Sequence, residues 1–299
     1  MYKPVIIAST QDQASTSMAN YLLENELFVL QDFPLTKAIR NKDLQFQNLI
    51  KNKLLSGAKI YQSTKNNNIN LLIFRHNLVD LPYLDSIMPD KSILIFLSKH
   101  SSKKKIPALT SHFTGNFGNN TLFGGNPNEI GIAYPSFQKV YMKQLHLNMQ
   151  KLDEYKITIE ASHHGPTTSQ NPIIFIEIGS SELEWNNQFL ASIVCNSLLS
   201  TITEFVNDKP LSASKIAIGL GGNHYPQKFN DMILREDTAF ASIASKYNLD
   251  NIDSKMLQMM KSRSVEPVTE LFIDKKTIVS ERQRLSKIAE SLDLEINLV

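Results

Sequence analysis

The sequence contains one cysteine, one tryptophan and little net charge, +2 over 299 residues. A lone Cys195 cannot form an internal disulfide or a thiolate-rich zinc site, so we expect a reducing compartment, the cytoplasm. The first apolar run, Pro4–Ala8, is too short for the core of a signal peptide. No stretch approaches the roughly 18 consecutive apolar residues of a membrane span, and we expect no membrane partner.

Three motifs that define common enzyme classes are also absent. The stretch GLGGNH (Gly219–His224) departs from the dinucleotide-binding pattern, and no acidic residue follows at the expected distance, so we expect no dinucleotide. There is no Walker A motif and no G-x-S-x-G nucleophile elbow. Any chemistry must therefore come from other residues.

Apolar strand patterns alternate with helical ones along most of the chain. The predicted strands include KPVIIAST, NLLIFRH, SILIFLS, KITIEAS, NPIIFIEIG, SKIAIGL, VTELFID and EINLV. Predicted helices include residues 12–25, 136–152, 181–206, 237–248, 253–263 and 280–292, and Ser181 with Glu184 forms a capping-box pattern at the start of the third. The Gly/Asn-rich stretch 107–127 indicates a functional loop or a pair of short strands. We predict one α/β catalytic domain, residues 1–299, around a mainly parallel or mixed sheet flanked by helices.

The stretch EASHHGPT (Glu160–Thr167) places two adjacent histidines at a Gly-Pro turn. Most of the seven histidines lie at predicted strand ends or in the Gly/Asn-rich loop. Since sites in open α/β sheets form beyond the carboxyl ends of strands, we expect these side chains to converge. A buried carboxylate in the strand NPIIFIEIG, Glu177, should pair with a histidine, a lysine or a metal.

Imidazole and carboxylate are the natural zinc ligands where thiolates are absent. We predict a zinc site, and the candidate ligands are His112, His163, His164, Glu177 and His224. The candidate catalytic residues are His163, His164, Glu177 and Glu182. The spacing matches no standard zinc motif, and each histidine could instead be a hydrogen-bonding loop residue.

The loop KHSSKKK (Lys99–Lys105) concentrates positive charge next to a strand end. With so small a net charge, a nucleic acid would have to be held by such a local patch. We predict that Lys99, Lys103, Lys104 and Lys105 bind the phosphates of a nucleic acid. The alternative is a solvated lysine-rich loop.

Four segments, in order, resemble the archaeal-type D-aminoacyl-tRNA deacylases, which also occur in plants. They are SKHSSKKKIPALTSHFTGNFG, EASHHGPT, FIEIGSSELEW and GLGGNHYP. The resemblance implies a zinc-dependent hydrolase of translation quality control that cleaves the ester between a D-amino acid and tRNA. It also implies a fold like that of phosphorylases and peptidyl-tRNA hydrolases. Under this resemblance, the phosphates bound by Lys99, Lys103, Lys104 and Lys105 are those of tRNA.

For such a reaction, the backbone N–H groups of GSSEL (Gly179–Leu183) could stabilise the oxyanion, and Ser180 or Thr167 could contact the substrate's amino group. Two other functions stay open from the sequence. One is a metal-independent hydrolase of peptidyl-tRNA or another tRNA ester, with histidine as general base. The other is a non-catalytic RNA-binding module. The sequence does not determine the oligomeric state, and we slightly favour a monomer.

Overall fold

The computed structural model describes residues 2–25, 27–31, 41–81, 83–89, 91–149, 154–206 and 213–299. The strands of this part are β1 (Lys3–Ser9), β2 (Phe28–Gln31), β3 (Lys59–Ser63), β4 (Asn70–Phe74), β5 (Ser92–Lys99), β6 (Ala108–His112), β7 (Gly115–Asn116), β8 (Glu129–Ile130), β9 (Lys156–Ile159), β10 (Ile173–Gly179), β11 (Lys215–Leu220), β12 (Thr238–Ala244), β13 (Glu270–Ile273) and β14 (Glu295–Leu298). The α-helices are α1 (Gln13–Glu24), α2 (Leu44–Lys53), α3 (Pro135–Met149), α4 (Glu182–Trp185), α5 (Gln188–Val206), α6 (Gln227–Arg235), α7 (Ser254–Ser262) and α8 (Val279–Glu290).

The strands form two main sheets. The larger has the order β2-β3-β4-β1-β5-β10-β6-β9, and the smaller has the order β12-β11-β13-β14. In the larger sheet β4, β1, β5 and β10 are parallel, whereas β6 and β9 run in the opposite direction. All pairs of the smaller sheet are parallel. The predicted fold class, an α/β unit with a mixed sheet flanked by helices, is confirmed.

Continuous apolar runs produce the central strands, because both faces of the larger sheet are covered. All seven residues of β10 are buried, as are the first seven of β5. One apolar cluster includes residues of both sheets, for example Ile95 in β5 and Ile218 in β11, so the two sheets share a core. The opposite face of the larger sheet has a second, smaller cluster that contains Phe96 and Phe175.

Side-chain caps fix two helix starts that bear on the site. Asp12 accepts a hydrogen bond from the Ser15 amide at 2.8 Å and caps α1. Ser181 and Glu184 form the predicted capping box at α4.

One helix was predicted in the wrong place. Residues 237–248 contain a strand, β12, and the helix of this unit is α6, directly before it. The three alanines of TAFASIA favour a helix locally, but all seven residues are buried, and packing in the sheet overrides that propensity. The predicted helix 136–152 is confirmed as α3 up to Met149, and residues 150–152 lie outside the described part.

Within the described residues, α5 alone is long and apolar enough to cross a membrane, with a mean hydropathy of 1.5. Half of that window is buried inside the protein. Its Leu190, Val194 and Leu198 belong to the shared core, and the helix packs against α1 and α3. These contacts are those of a core helix.

Candidate functional site

A cavity of about 690 Å³ lies at the carboxyl ends of the parallel strands β1, β4 and β5. It brings residues from both sheets together, since His224 follows β11 of the smaller one. The lining residues are Ser9, Gln11, Asp12, Asn77, Leu78, Val79, Ser98, Lys99, His100, Ser101, Phe123, His163, His164, Glu177 and His224. Three of the predicted site histidines and Glu177 are therefore on its wall.

The paired histidines follow β9 at the junction of the two sheets. The Ala161 amide donates to the carbonyl of His224, and the Ser162 amide donates to Ile243, both at 2.9 Å. The carbonyl of His164 accepts from the Gly115 amide at 2.8 Å, and His164 has a φ of +46°. A non-glycine residue in this left-handed region costs free energy, and such residues cluster at functional sites.

Close backbone packing fixes the turn behind the histidines. A Cβ on Gly165 would lie 2.2 Å from the backbone nitrogen of Gly125, so no larger residue fits there. The Gly165 amide also donates to the Phe123 carbonyl at 3.0 Å. The Gly/Asn-rich loop thus holds the histidine turn in place, which gives that predicted loop a structural function.

Three histidines are oriented in the same way. The Nδ1 atoms of His112, His163 and His164 lie 3.1, 2.9 and 2.7 Å from backbone carbonyl oxygens. A carbonyl accepts only from a protonated nitrogen, so each Nδ1 carries a proton, and Nε2 is the nitrogen that can bind a metal when the ring is neutral. One ring nitrogen from each of the three lies within 4.8 Å of the other two.

His112 reaches the group across the face of the sheet. It lies opposite Phe175 in the antiparallel β6–β10 pair, and Glu177 projects from the same face two residues later. His112 Nε2 is fully buried and has no hydrogen-bond partner among the described residues, and its distance to Glu177 Oε1 is 3.6 Å. Burial alone would lower the pKa of His112, but Glu177 raises it, so this buried nitrogen binds either a proton or a metal cation.

The two buried carboxylates of the cluster share one histidine. His100 Nδ1 is 3.1 Å from Glu160 Oε1 and 3.3 Å from Glu177 Oε2. Burial alone would lower the pKa of His100, but contact with these two carboxylates raises it to about 10. Burial would raise the pKa of Glu160 and of Glu177, yet their histidine contacts lower both, so both stay ionised.

The paired histidines are neutral near pH 7. Burial and the neighbouring His112 lower the pKa of His164 to about 4. The same two causes hold the pKa of His163 well below its usual value, although its side chain keeps 33% of its surface exposed. Neutral imidazole is the form that binds a metal.

The donor set fits zinc. Besides the three imidazoles, Glu160, His163 and His224 form a second possible ligand group, with His224 Nε2 2.5 Å from Glu160 Oε2. His100, Glu160 and Glu177 form a third group. Nitrogen and oxygen donors of this type are the usual zinc ligands, whereas Cys195 is buried elsewhere, in the core.

Other predicted site residues lie apart from this cluster. Glu182 is exposed in the first turn of α4 and belongs to none of the metal-ligand groups found in the described chain, so its catalytic role stays a prediction that the cluster does not support. The cause is the helix start: the capping box directs Glu184 inward, and Glu182 projects into solvent.

Two of the amides predicted to stabilise the oxyanion already have a partner. The amides of Ser180 and Ser181 donate to Glu184 Oε2 at 3.1 and 2.8 Å, so this carboxylate already occupies them. Neither predicted amino-group contact is on the cavity wall: the hydroxyl of Ser180 donates to the Ile106 carbonyl, and that of Thr167 donates to Glu129.

The predicted lysine patch divides into two parts. Lys99 lines the cavity, and its Nζ lies 5.2 Å from the ring centroid of Trp185. Lys103, Lys104 and Lys105 are exposed on the following loop.

The sequence-based list omitted His100, Glu160, Asp12 and Tyr225. His100 follows a strong strand pattern, and Glu160 directly precedes the histidine pair, so both could have been included by position. Asp12 lines the cavity and accepts from the Lys99 amide at 3.0 Å. The Tyr225 hydroxyl contacts His100 Nε2, and no sequence signal marks that contact.

Fold and site together define a class: an α/β protein with a histidine–carboxylate centre of the kind found in metal-dependent hydrolases. The family model described as D-aminoacyl-tRNA deacylase matches residues 87–297. With a D-aminoacyl-tRNA deacylase of Pyrococcus furiosus the chain is 31% identical over 299 residues, 97% of this chain and 98% of the relative. With that of Thermococcus onnurineus it is 39% identical over 206 residues, 68% and 72% of the two chains.

The chain belongs to the D-aminoacyl-tRNA deacylase family, which confirms the resemblance found in the sequence. A crystal structure of a conserved protein of unknown function shares the fold, with a TM-score of 0.83 and 23% identity over 99% of this chain and 95% of that one.

Proposed function

We propose that this protein hydrolyses the ester between a D-amino acid and tRNA, with a zinc ion bound in the cavity. Family membership supports the substrate. The observation that carries the chemistry is the convergence of His112, His163 and His164, each with Nδ1 directed at a backbone carbonyl. We assign these three histidines as zinc ligands, with Glu160 and His224 next to His163.

Zinc in this position would make water acidic enough to attack an ester near neutral pH. The chain's own residues then have two tasks. Glu177 is ionised and lines the cavity, so its carboxylate can accept the proton of the attacking water. Glu160 accepts from His224 and lies beside His100, which fixes both rings around the reacting ester.

The cavity also excludes water from part of the substrate. Phe123 lies on its wall and keeps 63% of its surface exposed, so its ring can cover the terminal adenosine or the amino-acid side chain. Lys99 lies on the same wall and can contact the phosphate of the terminal nucleotide.

We propose that residues 1–299 act as one catalytic domain, because the shared core joins both sheets and both contribute to the site. A tRNA substrate and a single, buried cysteine support a cytoplasmic location.

Chelation separates this function from a metal-independent hydrolase. The purified protein is assayed with D-tyrosyl-tRNA before and after removal of metal, and again after zinc is added back. We expect activity to fall at least about a hundredfold and to return with zinc. Unchanged activity in the metal-free protein would contradict zinc catalysis. Equal binding of charged and uncharged tRNA without hydrolysis would instead indicate an RNA-binding module.

A further inference from the structure

A second cavity, of about 350 Å³, lies at the carboxyl ends of β11, β12 and β13 in the smaller sheet. We call it the lysine cavity, because Lys228, Lys246 and Lys276 line it together with Asp274 and the loop that begins at Gly222. It contains no member of the histidine–carboxylate cluster.

The charge of the lysine cavity is positive. Its carboxylate, Asp274, is 2.8 Å from Lys228 Nζ, so these two charges offset each other. Lys246 and Lys276 are exposed, and neither forms an ion pair with any residue in the described ranges. Two unpaired ammonium groups on the wall of a concave site attract anions, and phosphate above all.

An exposed aromatic side chain stands next to these lysines. Tyr247 keeps 71% of its surface exposed, and Lys246 Nζ lies 5.1 Å from the centroid of its ring. Lysines beside an exposed ring are the combination that binds single-stranded nucleic acid, since lysines hold the phosphates and the ring stacks on a base. A small free anion has no base that could stack on the ring.

One loop connects the lysine cavity with the reactive cavity, which is the 690 Å³ cavity at the carboxyl ends of β1, β4 and β5. Tyr225 lines the lysine cavity, and its hydroxyl contacts His100. The preceding residue, His224, lines the reactive cavity. Lys156 adds a further positive charge at this junction, with Nζ 4.7 Å from the centroid of the Tyr225 ring.

We propose that the lysine cavity binds the phosphates of the single-stranded 3′ end of tRNA, immediately before the esterified nucleotide. Lys246 and Lys276 contact the phosphates, and Tyr247 stacks on a base. This inference rests on the proposed function for the identity of the nucleic acid. It adds a tRNA contact on the smaller sheet, separate from the lysine loop predicted from the sequence.

The test compares Lys246→Gln/Lys276→Gln with a matched control, Lys51→Gln/Lys53→Gln. The control removes the same charge from two exposed lysines of α2, which line neither cavity. With D-tyrosyl-tRNA, the test variant should show a KM about tenfold higher and a nearly unchanged kcat. With D-tyrosyl-adenosine, which lacks the preceding phosphates, both variants should match the unmodified protein.

Binding of a labelled single-stranded RNA with the 3′ sequence of tRNA is measured in parallel over a range of salt concentrations. Loss of two phosphate contacts should reduce the slope of log K against log salt by about 1.4, or roughly 0.7 per contact. A test variant that matches the control in KM and salt slope would overturn the inference. If the unmodified protein cleaves no D-tyrosyl ester, the proposed function fails, and the RNA titration still decides the lysine cavity.

Discussion

The reactive cavity and the lysine cavity lie at strand ends of different sheets and differ in their side chains. Histidines and carboxylates line the first, and lysines line the second. At the first, the neutral His163 and His164 are half-buried beside two buried carboxylates, and His112 has no exposed surface. At the second, Lys246 and Lys276 are exposed and unpaired within the described part of the chain. A reacting ester needs fixed, desolvated groups, whereas a phosphate chain needs accessible positive charge. Binding and hydrolysis should therefore separate by mutation.

His164→Asn should have the largest effect. It removes one of three convergent imidazoles, so we expect loss of bound zinc and a fall in kcat of about a thousandfold or more. RNA binding should stay unchanged, which elemental analysis and an RNA titration would check. His146→Asn, at an exposed histidine of α3, is the matched control. Full activity in the His164 variant would exclude this ring from the chemistry.

Glu177→Gln should be next in size. It keeps the shape of the side chain but cannot accept a proton, so kcat should fall about a hundredfold. The charge contacts with His100 and His112 are also lost, and the melting temperature should drop. Single-turnover kinetics and thermal melting give both values. A normal kcat at saturating substrate would show that another group accepts the proton.

Gly165→Ala tests the backbone packing behind the histidine turn. The added Cβ would meet the backbone nitrogen of Gly125, and we expect about 2 kcal/mol of destabilisation. Activity should fall about tenfold through misplaced histidines. Gly118→Ala is the control, since its Cβ would contact the movable side-chain amide of Asn251 at 3.2 Å. Equal stability of the two variants in denaturant would mean that the turn tolerates a shift.

Replacing Lys103, Lys104 and Lys105 together by glutamine should have a smaller effect. The loop is exposed and follows the wall of the reactive cavity, so we expect KM for tRNA to rise about threefold and the salt dependence of binding to decrease. A salt slope identical to that of the unmodified protein would show that these three lysines are solvated and contact no phosphate. Binding of tRNA would then depend on the lysine cavity.

Glu182→Gln should have the smallest effect. Its side chain is exposed, away from the carboxylates of the cluster, so kcat and KM should both stay within about twofold of the original values. Parallel assays with the Glu177 variant make the comparison direct. A large fall in kcat of the Glu182 variant would show that this residue takes part in catalysis.

Strong local patterns made most of the fold predictable. Continuous apolar runs identified β1, β5 and β10, and the capping box identified the start of α4. β12 could not be identified, because the burial of TAFASIA between neighbouring elements is a tertiary effect. β2, α2 and β3 were also missed: their side chains are largely exposed or half-buried, which weakens the apolar pattern.

For the site, position at strand ends predicted His163, His164 and His224 as members of the cluster. Glu177 was predicted because a carboxylate within an apolar strand needs a partner. His112 was expected from its loop, but β6 runs antiparallel to β10, and it reaches the cluster across a sheet face. Contacts between distant segments decided the rest. Glu184 accepts from two of the predicted oxyanion amides, and His100 bridges Glu160 and Glu177.

The most direct measurement is the rate of ester hydrolysis with D-tyrosyl-tRNA and L-tyrosyl-tRNA, with the zinc content determined in the same sample. We predict rapid release of tyrosine from the D form, slow release from the L form, and bound zinc that is lost in the His164→Asn variant. Equal or absent hydrolysis of the two substrates by zinc-loaded protein would contradict the proposed function.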